Sequence, residues 1–390
     1  MLNRRLLRIK VMQAFYALRQ SELSSRQLAV DAITETFQPD LNSMEVQNLQ
    51  QLEGFRRLAT VLFEEGLTNG KPSEEDVPRN VLVAANQALA DYRNSQTRER
   101  QRVFQSLLDD VRTLDNSLIR LLTLLLELAH IAQVDRERVR KYENLDVRPI
   151  AKESSLDRNR IVQALRENKS LEVEQIRRKI DWGDDRQMIR AIYTDILKED
   201  ELYRTYCETA DHTADEDQQL VQHILRNVLL KQDPAKNYFE ETDLSWAENG
   251  ELVRSMAIKT LKSAQSPEGL KLTELTDDWE EDRLFLETLY KKALENDAEY
   301  EALLADQLKN WDVERVAQLD KIILKLALAE LLNFPNIPVK VTINEYIELA
   351  KLYSTPKSGK FVNGILDSLS EKLKSTGQLR KSGRGLLDNK

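Results

Sequence analysis

The residues in this sequence best suited to chemistry are cations at its two ends, and the chemistry they suit is phosphate contact. Arg4, Arg5, Arg8, Lys10 and Arg19 fall in the first 20 residues, a stretch with no acid. Residues four apart share a helix flank, so Arg4 and Arg8 stand in one row with Arg5 beside them. Such a row can hold a nucleic-acid backbone, and Tyr16 offers a ring for a base or for a protein partner. Towards the other end, Thr355-Pro-Lys-Ser-Gly-Lys360 is a polar turn that leads into a helix. A helix start presents free N–H groups and a positive dipole end, to which Lys357 and Lys360 add charge. The tail Lys381-Ser-Gly-Arg-Gly385 reads as a flexible basic segment that could add non-specific RNA affinity.

Catalytic signatures are scarce. The stretch 66–73 (GLTNGKPS) has too short a spacing for a phosphate loop and puts Pro72 where that loop needs Ser or Thr. Cys207, His212 and His223, with Asp211 nearby, match no zinc spacing and read as helix-boundary residues. No Gly-x-Ser-x-Gly elbow occurs, and 3 histidines in 390 residues leave little for general-base work. Asp277, Asp278, Glu280, Glu281 and Asp282 suit a solvated helix start, where carboxylates favour the dipole. The reading is of a protein without catalytic residues, metal ligands or cofactor.

The elements that must position the basic ends are helical. Apolar residues make up 41% and charged residues 32%, with only 11 Gly and 9 Pro, a balance that describes a soluble, helix-rich chain. The single cysteine, Cys207, excludes an internal disulfide and fits a reducing compartment, so the cytoplasm is expected. The most apolar run, residues 118–134, is interrupted by Arg120, Glu127 and His130. It is also shorter than the roughly 20 residues that span a bilayer, so no membrane partner is expected. Net charge is −9, but residues 1–20 carry +5 and residues 351–390 carry +6, which leaves about −20 between them. Basic ends on an acidic body point to an anionic partner at the ends.

Periodicity places a first helix over residues 2–18 and two weaker ones within 24–68, parted by Pro39 to Ser43. A loop follows at 69–78, then helices at 79–94 and 99–134, and a charged connection at 135–158. Residues 159–230 are helical, with breaks at 182–185 and 212–217; turns are expected at Asp233-Pro234, Asn249-Gly250 and 266–269. A helix pair spans 284–310. The stretch from Trp311 to Leu373 holds three further helices. Pro335 and Pro338 end the first, and Thr342 with Glu345 suggests a capping box for the second. Pro356 and Gly359 separate the third, and Gly364 is read as a point of close helix approach. No alternating strand run appears, so the expected class is all-α.

The segment Pro338-Val-Lys-Val-Thr-Ile-Asn-Glu-Tyr-Ile-Glu-Leu-Ala-Lys351, followed by Phe361-Val-Asn-Gly-Ile-Leu-Asp367, closely resembles the NusB family of bacterial transcription antitermination factors. Trp311, Arg315, Asp320 and Ile323 continue the resemblance upstream, and Arg4-Arg5, Arg8, Gln13-Ala14 and Tyr16 resemble the family's arginine-rich first helix. Family members are much shorter, so the chain resembles the long form of Bacteroidetes-type bacteria. The implied organisation is a first helix at 1–20, a helical insertion of unknown role at 21–270, a C-terminal NusB-like helical domain at 271–375, and a basic flexible tail at 376–390.

The resemblance implies a helical bundle that binds single-stranded boxA-type RNA of ribosomal transcripts. It also implies pairing with NusE, the small-subunit ribosomal protein ten, within the RNA polymerase antitermination complex. Carried over by position, Arg4, Arg5, Arg8 and Gln13 fall on the RNA-binding helix. Ser358, Lys360, Phe361 and Asn363, joined by Lys357, fall on a second RNA-contacting segment. Tyr16, Glu314 and Asp320 fall on the NusE-facing surface. A homodimer is left open. Two rival readings exist. An RNA-modifying enzyme would need an α/β cofactor domain and a nucleophilic cysteine, and neither is visible. A protein-interaction scaffold would make the acidic middle the working surface.

Overall fold

The computed structural model describes residues 3–42, 46–141, 155–266, 268–307 and 316–389. Fifteen α-helices and no strand occur among these residues, so the chain is all-α as expected. Packing groups the chain into two compact units, one of residues up to Leu6 with Asp109–Asp282, the other of Leu7–Leu108 with Arg283–Lys390.

The second unit takes nearly all of α1 (Arg4–Thr36), α2 (Leu49–Asn69) and the first part of α3 (Arg79–Lys141). It also takes most of α11 (Trp279–Glu295), then α12 (Asp297–Gln307), α13 (Gln318–Asn333), α14 (Val339–Tyr353) and α15 (Ser358–Ser375). Asn48 caps α2 by accepting the Gln51 N–H, and Gly70, at φ 87, ends it in the left-handed region that favours glycine. Ala29 and Ile33 of α1, with Phe37 just after it, share a core with Phe63 of α2 and Ala85 and Leu89 of α3. The other core of this unit surrounds α13, whose residues from Ile322 to Leu331 are all buried. A helix buried on nearly every side belongs at a bundle centre, and α14 and α15 pack against it. Each fully buried leucine there contributes ~1.5–3 kcal/mol of transfer free energy.

The first unit is built on the latter part of α3 and on short helices: α4 (Arg160–Arg166), α5 (Lys169–Arg177), α6 (Arg186–Ala191), α7 (Glu201–Glu208), α8 (Ala214–His223), α9 (Asp233–Thr242) and α10 (Trp246–Ser263). By length and composition α3 could cross a membrane. Its apolar segment is instead packed within the protein, with Leu121, Leu122, Leu124, Leu125 and Leu128 at 0% exposure. Trp182 Nε1 donates to Thr123 Oγ1 at 3.0 Å and helps close this cover.

Several expectations about elements are corrected. The first helix does not stop near residue 18 but runs for 33 residues, because no Pro or Gly interrupts Arg4–Thr36. The two helices expected at 79–94 and 99–134 are one helix of 63 residues, which also absorbs the start of the presumed connection at 135–158. That connection is anchored too: Arg136 Nη2 donates to Asp157 Oδ2 at 2.5 Å, and both side chains are buried. Residues 142–154 lie outside the described residues. Asp233-Pro234 opens α9, since proline suits a first helical turn. Asn249-Gly250 lies inside α10, where Asn249 Nδ2 donates to Asp243 Oδ2 at 2.8 Å.

The tail is docked where flexibility was expected. Lys381 Nζ donates to the Phe334 carbonyl at 3.0 Å and the Ser382 N–H to the Pro335 carbonyl at 3.0 Å. The expected boundaries at residues 20/21 and 270/271 differ from the packing, which joins α1, α2 and the start of α3 to the C-terminal helices in one unit.

Candidate nucleic-acid interface

Two buried carboxylates on α13 hold the elements that carry the candidate cations. The first is Glu330, at 0% exposure. Arg8 of α1 grips it bidentately, Nε to Oε2 at 2.7 Å and Nη2 to Oε1 at 2.7 Å. Thr342 Oγ1 donates to Oε1 at 2.9 Å and the Tyr346 hydroxyl to Oε2 at 3.3 Å. Glu345 lies 3.6 Å from the same guanidinium, whose carbon sits 5.5 Å from the Phe285 ring centre. Burial opposes the charge on Arg8, but the hydrogen bonds and charge of Glu330, with Tyr346 and Glu345, outweigh it and raise the pKa. Burial likewise pushes the Tyr346 hydroxyl well above its ordinary value, with the Glu330 charge acting the same way.

This arrangement corrects two expectations. Arg8, at 3% exposure, is sequestered and has no open face for a phosphate; it ties α1 to α13. Thr342 and Glu345 form no capping box: Pro338 is the N-cap of α14, which places Thr342 a turn inside the helix. A central Glu in the run Leu324-Lys-Leu-Ala-Leu-Ala-Glu330-Leu-Leu332 was the signal available in sequence. A charge there is costly unless paired.

The second carboxylate is Asp320, at 5% exposure. Ser358, at 1%, donates to its Oδ2 at 2.7 Å. The two residues expected on separate RNA-facing and protein-facing surfaces therefore bind each other beneath the surface. Burial removes both as direct contacts for a large partner. Gly364, expected at a close helix approach, has open space around the position of a Cβ. Gly359 is the crowded one, with Lys351 Cγ 2.9 Å from such an atom.

The remaining candidates are accessible to varying degrees. Lys357, Lys360 and Asn363 are exposed on the turn before α15 and its first two turns, and Phe361 is half-buried among them. Asn363 Nδ2 donates to Asp367 Oδ2 at 3.1 Å. On α1, Gln13 is half-buried and Tyr16 is 42% exposed. Arg4 and Arg5 begin the same helix but group with the first unit, where Arg4 pairs with Glu281. Glu314, with Trp311 and Arg315, lies outside the described residues. The Cys207–His212–His223 set holds no metal geometry. Among the described residues no group of metal-ligating side chains occurs; His223 Nε2 pairs with Asp200 Oδ2 at 2.8 Å and Cys207 is buried.

The NusB family model matches residues 251–371. "Transcription antitermination protein NusB" of Salinibacter ruber is 42% identical over 27% of this chain and 66% of its own length. The protein of the same name from Chloroherpeton thalassium is 45% identical over 27% of this chain and 49% of its own length. The match thus spans under two thirds of these two relatives. That of Methylacidiphilum infernorum is 38% identical over 32% of this chain and 91% of its own length. The solved T. maritima NusB shares 33% identity over 31% of this chain and 80% of that one, with a TM-score of 0.23, too low to define a common fold. With nine tenths of one relative covered at this identity, the chain belongs to the NusB family.

Proposed function

We propose that this protein is a non-enzymatic antitermination factor that binds boxA-type single-stranded RNA together with NusE. In this reading it acts within the RNA polymerase antitermination complex on ribosomal transcripts. The observation that carries the reading is the exposed group Lys357, Lys360 and Asn363 around the half-buried Phe361 ring, all within two turns. Single-stranded RNA needs cations for its phosphates, a planar face for an unstacked base and amide groups for base edges, and this turn supplies each. Arg4, Arg5 and Gln13 are proposed as further RNA contacts, and Tyr16 as a contact for NusE. Filter binding of boxA RNA against a scrambled sequence, with and without NusE, tests the reading. Preference for boxA that NusE strengthens is expected; equal binding of both RNAs would overturn it.

A further inference from the structure

We propose that Asp320 is a positioning residue for the RNA-facing turn: its buried carboxylate fixes Ser358, and through Ser358 the backbone that carries Lys357 and Lys360. The proposal rests on the RNA-binding reading and adds a determinant of affinity that touches no RNA. A carboxylate only accepts, so the 2.7 Å contact commits the single hydroxyl proton of Ser358 to Asp320 Oδ2. The lone pairs of Ser358 Oγ are then left to receive the Thr355 N–H at 3.2 Å and the Thr355 hydroxyl at 2.8 Å, with the Ser354 hydroxyl oxygen 3.0 Å away. The Ser358 N–H returns to the Thr355 carbonyl at 2.9 Å. Backbone and side chains from 354 to 358 are thereby locked in one arrangement, set from below by a residue 38 positions earlier.

The same carboxylate changes the electrostatic account of the turn. A buried anion beside the first residue of α15 already complements the dipole of that helix end. Phosphate attraction therefore belongs to Lys357 and Lys360, whose long side chains pay less ordering entropy when their backbone is already fixed.

The test measures boxA RNA affinity against salt, and amide hydrogen exchange at Thr355 and Ser358, in the full chain. Asp320→Ala is expected to weaken binding roughly tenfold, as loss of a hydrogen bond to a charged group implies. Exchange at Thr355 and Ser358 should quicken, while the log–log salt slope stays at the wild-type value because both lysines remain. Asp320→Asn, which keeps a neutral acceptor for Ser358, should bind several-fold more tightly than Asp320→Ala while staying below wild type, because a neutral hydrogen bond retains part of the stabilisation. Lys357→Ala should instead flatten the slope by about 0.7. Wild-type affinity in Asp320→Ala, or no rescue by Asp320→Asn, would overturn the proposal. If Asp320→Ala fails to fold, Ser358→Ala must show the same loss at unchanged slope, and wild-type affinity there is equally fatal. If the wild-type chain itself does not prefer boxA RNA, the RNA reading fails, and the exchange rates alone decide whether Asp320 pins the turn.

Discussion

Replacing Arg8 by Met is expected to destabilise the second unit without acting through RNA. The guanidinium is 3% exposed and its partner Glu330 0% exposed, with two contacts of 2.7 Å between them. Removing one member leaves a buried charge without compensation, at ~3–5 kcal/mol. For units of this size each kcal/mol moves the melting temperature by about 2–4 °C, so a fall of roughly 6–20 °C follows. The double variant Arg8→Met with Glu330→Leu leaves no fully buried lone charge, since Glu345 is in part exposed, and most of the loss should return. What remains is the lost acceptor for the Thr342 and Tyr346 hydroxyls, at ~1–3 kcal/mol. Thermal and urea unfolding followed by circular dichroism, run as a double-mutant cycle, measure both steps. A single-variant loss below ~1 kcal/mol, or a double variant no more stable than the single, would refute the buried-pair account. A drop in RNA affinity at unchanged stability would return Arg8 to the RNA face.

Other consequences are more local. Gly364 sits exposed within α15 with nothing near a Cβ, so Gly364→Ala should add about 0.5–1 kcal/mol; destabilisation would reveal a contact absent from this structure. Burial pushes the Cys207 thiol up to about 11, so iodoacetamide should label it slowly near neutral pH until the chain unfolds; prompt labelling of the native protein would contradict this. Burial disfavours the Asp297 carboxylate, but Arg19 and Lys325 hold its pKa below the ordinary aspartate value. Its contribution is therefore complete above about pH 4 and is lost as pH falls through the folded value. The cost of Asp297→Asn should be largest near neutral pH and shrink towards about pH 2, whereas a pH-independent cost would rule the linkage out.

Periodicity and composition made the helical class legible, because each amphipathic stripe states which face is buried. The family motifs located the turn at 355–360 and the helix after it. Continuity was harder to read. Nothing in residues 95–98 breaks a helix, and the structure runs one helix through the expected gap. Burial of polar groups was the least legible feature. Arg8, Asp320 and Ser358 look like surface residues in one dimension, since their partners lie 322 and 38 positions away. The docking of the tail is hidden for a similar reason: its glycines, serine and basic residues suit disorder, while its anchors at Phe334 and Pro335 are carbonyls that any sequence offers.

The central claim is that Lys357 and Lys360 meet RNA phosphates. The salt dependence of boxA RNA affinity in the wild-type chain and in the Lys357→Ala, Lys360→Ala double variant tests it most directly. Two lost phosphate contacts on a single strand should flatten the log–log slope by about 1.4 and weaken binding most at low salt. An unchanged slope with unchanged affinity would show that the turn before α15 does not meet RNA.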